Sequence, residues 1–93
     1  MSLFDRYADR LRRSSPVALA TVVEGPHVGA KLLVEPGADP EGSLGHPELD
    51  RVVARDALAE LEAARAGTRH YGPEGQTTPE DLLDQPTVRV FIE

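Results

Sequence analysis

The residues with the most chemical potential lie in one short run, Gly42-Ser43-Leu44-Gly45-His46-Pro47, which leads straight into a helix-patterned stretch. Backbone N–H groups at a helix start, approached over glycines, make an anion site. The competing assignment is turn chemistry alone, with Gly42 and Gly45 supplying unusual dihedrals and Pro47 filling the first helical position. Glu48 and Asp50 weigh toward the second assignment, because carboxylates in the first turn already answer the helix dipole and repel a phosphate. His46 can cap the helix, touch a ligand or bind metal, and a capping or solvated role is the expectation. His27 and His70 complete the histidines. Neither lies at ligand spacing with another histidine or an acid on one helix face, so a metal-assisted hydrolase would need all three to converge in space.

Lys31 is the only lysine and could contact an anion, or simply keep one sheet face wet. Arg51 and Arg55 stand one turn apart and could form a small basic patch, unless Glu48 and Glu62 pair along the same helix. Ser14, Ser15 and Ser43 have no triad setting, so nucleophilic catalysis has nothing to stand on.

Composition narrows the classes further. Sixteen acidic against ten basic side chains leave a net charge of −6, which argues against nucleic acid as a partner, since phosphate neutralisation needs a basic face. The absence of cysteine removes disulfides, thiolate nucleophiles and thiolate ligands together, and is compatible with a cytoplasmic location. Two arginines before an apolar run, RRSSPVALA, superficially resemble a twin-arginine signal. The apolar run ends at Glu24, so no leader is expected, and nothing approaches the roughly eighteen apolar residues of a membrane span. At 93 residues the expectation is one soluble domain with one core.

The elements that must position these residues follow from periodicity. Ser2 and Asp5 cap a first helix with Leu3, Phe4, Tyr7, Ala8 and Leu11 at helical spacing, ended by Ser14-Ser15-Pro16. Residues 17–23 are apolar on both faces and predict a central strand covered on both sides. After Gly25-Pro26, Val28, Ala30, Leu32 and Val34 alternate with Gly29, Lys31, Leu33 and Glu35 in a second strand, and Gly42 to Leu44 offer a third, completing a meander. Pro47 to Ala66 predict a long helix with Leu49, Val53, Ala57, Leu61 and Ala64 as its stripe, widened by Ala54 and Leu58, and with Gly67 as C-terminal cap. Residues 68–72 suggest a weak strand and Thr78 to Asp81 a short capped helix. In the last strand, Val88, Val90 and Ile92 alternate with Thr87, Arg89 and Phe91. The fold class is α+β, a small mixed or antiparallel sheet of about four or five strands packed by one long central helix and an N-terminal helix.

Residues 16–24 (PVALATVVE), 29–37 (GAKLLVEPG), 41–45 (EGSLG) opening a helix, and 88–93 (VRVFIE) resemble, in that order, the N-terminal domain of the XdhC/CoxI family of maturation factors for xanthine and carbon monoxide dehydrogenases. The resemblance implies a non-enzymatic accessory role, in which members bind the pterin molybdenum cofactor and help its sulfurated form reach the target enzyme. The candidate cofactor-binding residues are Gly29, Lys31, Gly42, Ser43, Gly45 and His46, and the resemblance implies a molybdenum hydroxylase or a separate second domain of the same family as partner. The sequence departs from the family pattern in two places. The family carries a Gly-Ser-x-Pro-Arg stretch before Gly-Ala-Lys, and here Gly25-Pro26-His27-Val28 takes its place. The family's glycine run ends in Gly-Gly-Cys, and here His46, Pro47 and Glu48 follow Gly45, so this polypeptide cannot itself carry a persulfide. The alternative is a dimerising or docking module that has lost the cofactor site. Residues 87–93 are then an edge strand that pairs across a two-fold axis into a homodimer.

Overall fold

A computed structural model of the chain describes residues 2–77 and 87–93. It contains α1 (Leu3–Arg12), β1 (Ala18–Glu24), β2 (Lys31–Val34), β3 (Glu41–Gly42), α2 (Pro47–Glu62), β4 (Gly67–Tyr71) and β5 (Val88–Ile92). The strands form one antiparallel sheet in the order β3-β2-β1-β5-β4. The α+β class, the meander of the first three strands and the central place of β1 are all as the alternation of apolar residues predicts.

Each face of the sheet meets a different helix. Ala18, Ala20 and Val22 of β1, Leu32 and Val34 of β2, and Val88, Val90 and Ile92 of β5 point to α2, where Leu49, Val53 and Ala57 complete the main core. Val17, Leu19 and Leu33 point the other way and pack with Leu3 and Tyr7 of α1. Leu19 is fully buried between strands on this second face. A small side chain there would leave a cavity. The helix α1 covers its face only in part, and Phe4 and Leu11 on it are each 53% exposed.

Both helices are closed by side-chain and backbone caps. At the start of α1 the Ser2 hydroxyl accepts from the Asp5 N–H at 3.1 Å, and the Asp5 carboxylate accepts from the Ser2 N–H at 3.2 Å, the reciprocal box the sequence predicts. Its end is a left-handed residue, Ser14 at φ 57°. The Ser14 N–H donates to the Leu11 carbonyl and the Ser15 N–H to that of Arg10, the paired bonds of a Schellman closure.

Five expectations are corrected. The second strand begins at Lys31, because Pro26 to Gly29 are spent on the hairpin turn, leaving Val28 65% exposed. The third strand is only Glu41–Gly42, and Leu44 leaves the ladder to enter the core. The long helix stops at Glu62, closed by Ala64 at φ 55°. The Arg65 N–H there donates to the Glu60 carbonyl. Gly67 therefore opens β4 and is not the cap. On α2, Val52 is buried and Leu58 is 38% exposed, so the apolar stripe is rotated toward the earlier residue. Finally, β5 is paired on one side with β1 and on the other with β4. Its backbone groups are spent within the sheet, which removes the proposed two-fold pairing through residues 87–93. The short helix expected at Thr78 to Asp81 lies outside the described residues.

Among the described residues no helix is long and apolar enough to cross a membrane.

Candidate functional site: a cleft beside the glycine turn

The glycine turn is built by close approach. At Gly42, φ +95°, a Cβ would run into the Lys31 carbonyl and the Leu3 side chain, so only glycine lets β3 lie against β2 here. The chain then reverses through Ser43 and Leu44 and enters α2 at the N-cap His46. The Leu44 side chain drops into the core, 1% exposed.

Three amides of this turn are already engaged. The Leu44 N–H donates to the Asp50 carboxylate at 2.6 Å, and the Ser43 hydroxyl donates to its other oxygen at 2.8 Å. The Gly45 N–H donates to Ser43 Oγ at 3.1 Å, and the Glu48 N–H donates to His46 Nδ1 at 3.1 Å. Asp50 thus fills from within the position an external anion would take, and His46 is a capping residue as the sequence analysis expects. An Nδ1 that accepts is unprotonated, so the remaining ring proton of this neutral imidazole sits on Nε2. That nitrogen lies 3.9 Å from the Glu74 carboxylate, beyond hydrogen-bond reach.

Beside the turn is a cleft of about 180 Å³. The buried side chains lining it are Val22, Leu44, Leu49 and Val88, and the more exposed ones are Pro26, His27, Gly45, His46 and Pro73. His27 arrives from the β1–β2 turn, which is folded back by hydrogen bonds from the Gly29 N–H to the Val22 carbonyl and from the Ala30 N–H to that of His27. Its ring lies against Gly45, at φ +111°, where a Cβ would collide with the imidazole. Residues 72–76 close the far side. The Gly72 N–H donates to the Gln76 carbonyl at 2.8 Å, and Gly75, φ +86°, sits against the Glu48 carbonyl and Val52.

The structure gathers some of the expected site residues and separates others. Gly45 and His46 line the cleft, and Ser43 stands behind it with its hydroxyl committed to Asp50 and Gly45. Gly42 faces a separate depression with Pro40, Pro47 and Arg51. Gly29 is at the hairpin tip, with nothing within 4 Å of where a Cβ would project. Lys31 alternates with the core residue Leu32 and so points to the α1 side of the sheet, where Nζ reaches Thr21 Oγ1 at 3.3 Å. His27, Pro26 and Pro73 are the cleft residues that sequence spacing did not nominate. The Gly-Pro-His run between the first two strands was the available sign of a turn, but nothing in it tells which side the turn folds toward.

The three histidines do not converge. His70 is exposed on β4 opposite Arg89, and among the described residues no group of three His, Asp or Glu side chains is placed to hold a metal ion. The basic patch does not form either. Arg51 pairs with Glu48 at 3.0 Å as the alternative foresaw, and Arg55 pairs with its neighbour Asp56 at 3.2 Å instead of Glu62.

A second ionic cluster fastens β4 to α2. Tyr71 donates its hydroxyl to Asp56 at 2.8 Å, and Arg69 donates to Glu60 and lies 3.6 Å from Asp56. Burial pushes the Tyr71 hydroxyl up, helped by the Asp56 carboxylate. The Arg69 hydrogen bond holds the Glu60 carboxyl below the usual carboxylate range. This network ties β4 to α2 and is a structural clamp.

Whether the residues present fit a molybdenum cofactor can be judged part by part. For its phosphate, the Leu44, Gly45 and Glu48 amides are already taken, among the described residues no lysine or arginine lines the cleft, and the Glu74 carboxylate stands 3.9 Å from the His46 ring at its rim. Its ring does fit, because buried apolar side chains, two prolines and two imidazoles offer flat contact and edge hydrogen bonds. A family model described as the XdhC and CoxI family matches residues 10–72. No curated protein matches the chain.

Proposed function

This chain belongs to the XdhC and CoxI family, and from that premise we propose that it is a non-enzymatic accessory domain in the maturation of a molybdenum hydroxylase of the xanthine or carbon monoxide dehydrogenase type. The observation that carries the reading is the family match over residues 10–72, a span that contains the β1–β2 hairpin, the glycine turn and α2. The cofactor supplies the molybdenum centre of the client enzyme, and this chain holds and presents it. The residues that would do so are those of the cleft, with His27 and His46 at the rim and Leu44 and Leu49 beneath.

A holding role suits the groups present. Ser43 is hydrogen-bonded to a carboxylate and the histidines form no relay with it, so the cleft supplies contacts and shape and no nucleophile. With no cysteine in the chain, sulfur must come to the cofactor from another protein. The partner is the hydroxylase itself or a separate second domain of this family, met in the cytoplasm, a compartment compatible with a cysteine-free chain.

The test is direct binding. Purified chain is titrated calorimetrically with molybdenum cofactor, alone and in the presence of a molybdenum hydroxylase apoenzyme. Saturable binding in either setting supports the role, and its absence in both removes it.

A further inference from the structure

We infer that the α1 side of the sheet, open over β5 and β4, docks one amphipathic, acidic helix of a partner protein. This surface lies on the opposite face of the sheet from the cleft beside the glycine turn, so the inference does not rest on the cofactor reading.

Geometry sets the shape of the occupant. On this side α1 packs on β1 and β2, with Leu3 and Tyr7 against Val17, Leu19 and Leu33. Among the described residues no second helix stands over β5 and β4 there. The cross-strand register puts Phe91 of β5 between Thr21 of β1 and Thr68 of β4, and Arg89 beside His70. Val88, Val90 and Ile92 turn into the main core, so the alternating Phe91 and Arg89 point to the α1 side. With strands about 4.8 Å apart and a helix about 10 Å across, the open strip is one helix wide.

The helix α1 forms the wall of that strip. Tyr7 and Leu11 border a depression with Ile92 and Glu93 at the end of β5, and Phe4, seven residues before Leu11, shares the same flank. No residue of α1 is fully buried, and the two most exposed apolar side chains on it, Phe4 and Leu11, are those that a neighbouring helix would cover.

Charge sets the sign of the occupant. The floor carries Lys31, Arg89 and His70 as its basic groups. Its carboxylates are Glu24, already paired with Arg89 at 2.7 Å, and Glu93 at the strand end. Among the described residues Lys31 makes no ion pair, and its Nζ reaches Thr21 Oγ1 at 3.3 Å. Since the whole chain has a net charge of −6, this strip is a basic patch on an acidic molecule, and it steers an acidic partner to itself. A second copy docked face to face would set these cations against like charges. A single-stranded nucleic acid would find one aromatic ring on the floor where it needs several to stack on. A helix with an apolar stripe covers Phe4, Leu11 and Phe91, and carboxylates beside that stripe meet Lys31 and Arg89.

The experiment is a nuclear magnetic resonance titration of the whole amide-labelled chain with two synthetic helical peptides that share one leucine stripe. Glutamates flank the stripe in the first peptide and lysines in the second. The glutamate peptide should shift the amides of Thr21, Thr68, Arg89 and Phe91 and leave those of Leu44 and Gly45 unmoved, while the lysine peptide shifts none. Raising the salt from about 50 to about 300 mM should weaken binding at least about threefold. Lys31→Gln and Phe4→Ser, the second at an exposed position, should each weaken it roughly three- to tenfold. Equal binding of the two peptides, binding of neither, shifts centred on the cleft, or unchanged affinity in both variants overturns the inference. Sedimentation of the free chain as a dimer that Phe4→Ser returns to monomer gives the strip to a second copy and overturns it too. Displacement of the glutamate peptide by a single-stranded oligothymidylate does the same in favour of nucleic acid. None of these outcomes bears on cofactor binding by calorimetry, so the proposed function stands or falls separately.

Discussion

Asp50 and Leu44 are joined by a 2.6 Å hydrogen bond from the Leu44 N–H to the Asp50 carboxylate, and this contact makes a glycine turn of anion-binding appearance into a closed structural corner. The other carboxylate oxygen takes the Ser43 hydroxyl, so one side chain accepts from two donors of the turn. Replacing Asp50 by alanine leaves Leu44 N–H without its partner in a half-buried setting. The expected cost is about 1 to 3 kcal/mol, read as a lower urea midpoint with an unchanged slope. A loss within a few tenths would mean that water replaces the carboxylate freely.

Gly45 and His27 form a second pair whose coupling can be measured. A Cβ at residue 45 meets the His27 ring, and φ +111° is a backbone region side chains rarely adopt. Gly45→Val should lower stability by more than about 1 kcal/mol. Removing the ring with His27→Ala relieves the collision but not the dihedral strain. The double variant should therefore be less destabilised than the sum of the singles by roughly 0.5 kcal/mol or more. Strict additivity would mean that the imidazole does not sit on the glycine.

Two left-handed residues that are not glycine offer the opposite experiment. Ser14 at φ 57° and Ala64 at φ 55° occupy the closing positions of α1 and α2. Ser14→Gly and Ala64→Gly should each raise stability by up to about 1 kcal/mol, or several degrees in Tm for a chain this size. Both helices keep their other cap bonds, so a fall in Tm would contradict the left-handed assignment.

The α2–β4 clamp should show itself in acid. Glu60 has its carboxyl lowered by the Arg69 hydrogen bond, and a lowered carboxyl favours the fold when ionised. Its contribution is complete above the ordinary glutamate range and is lost as the pH falls through the lowered value. Glu60→Gln should therefore flatten the acid limb of the stability curve, measured by urea denaturation from pH 7 down to pH 3. A parallel curve at lower stability would assign the acid loss to other carboxylates.

At the sheet centre, Leu19 is fully buried on the α1 side. Leu19→Ala should cost roughly 2 to 5 kcal/mol and loosen α1. Enhanced amide exchange in residues 3–12 of the variant checks the second part.

Most of the architecture was legible because it rests on periodicity. The double-sided apolar run at 17–23 could only be a covered central strand, and Val88, Val90 and Ile92 announced their face by alternation. The second strand's start was misjudged because Val28 and Ala30 continue the alternation through a turn whose dihedrals are set by Gly29, and the pattern does not register where hydrogen bonding stops. The end of α2 was misjudged for a related reason. Glycine at residue 67 is the residue chemistry favours for a cap, yet Ala64 takes the left-handed position at some cost. The site was legible only in part. Gly45 and His46 could be nominated from spacing, whereas His27 and Pro73 reach the cleft through tertiary folding; alternation put Lys31 on the face opposite Leu32, but not which helix covers that face. Asp50's role was legible in sign, since an acid in the first turn argued against a phosphate, but not in its specific partners.

The most direct test of the central claim is the map of methyl shifts in the whole chain on adding molybdenum cofactor. The account predicts changes centred on Val22, Leu44, Leu49 and Val88, with the methyl groups of Leu3, Leu19 and Leu33 on the α1 side unmoved. Saturable shifts centred on Leu3, Leu19 and Leu33, or none at any ratio, would contradict it.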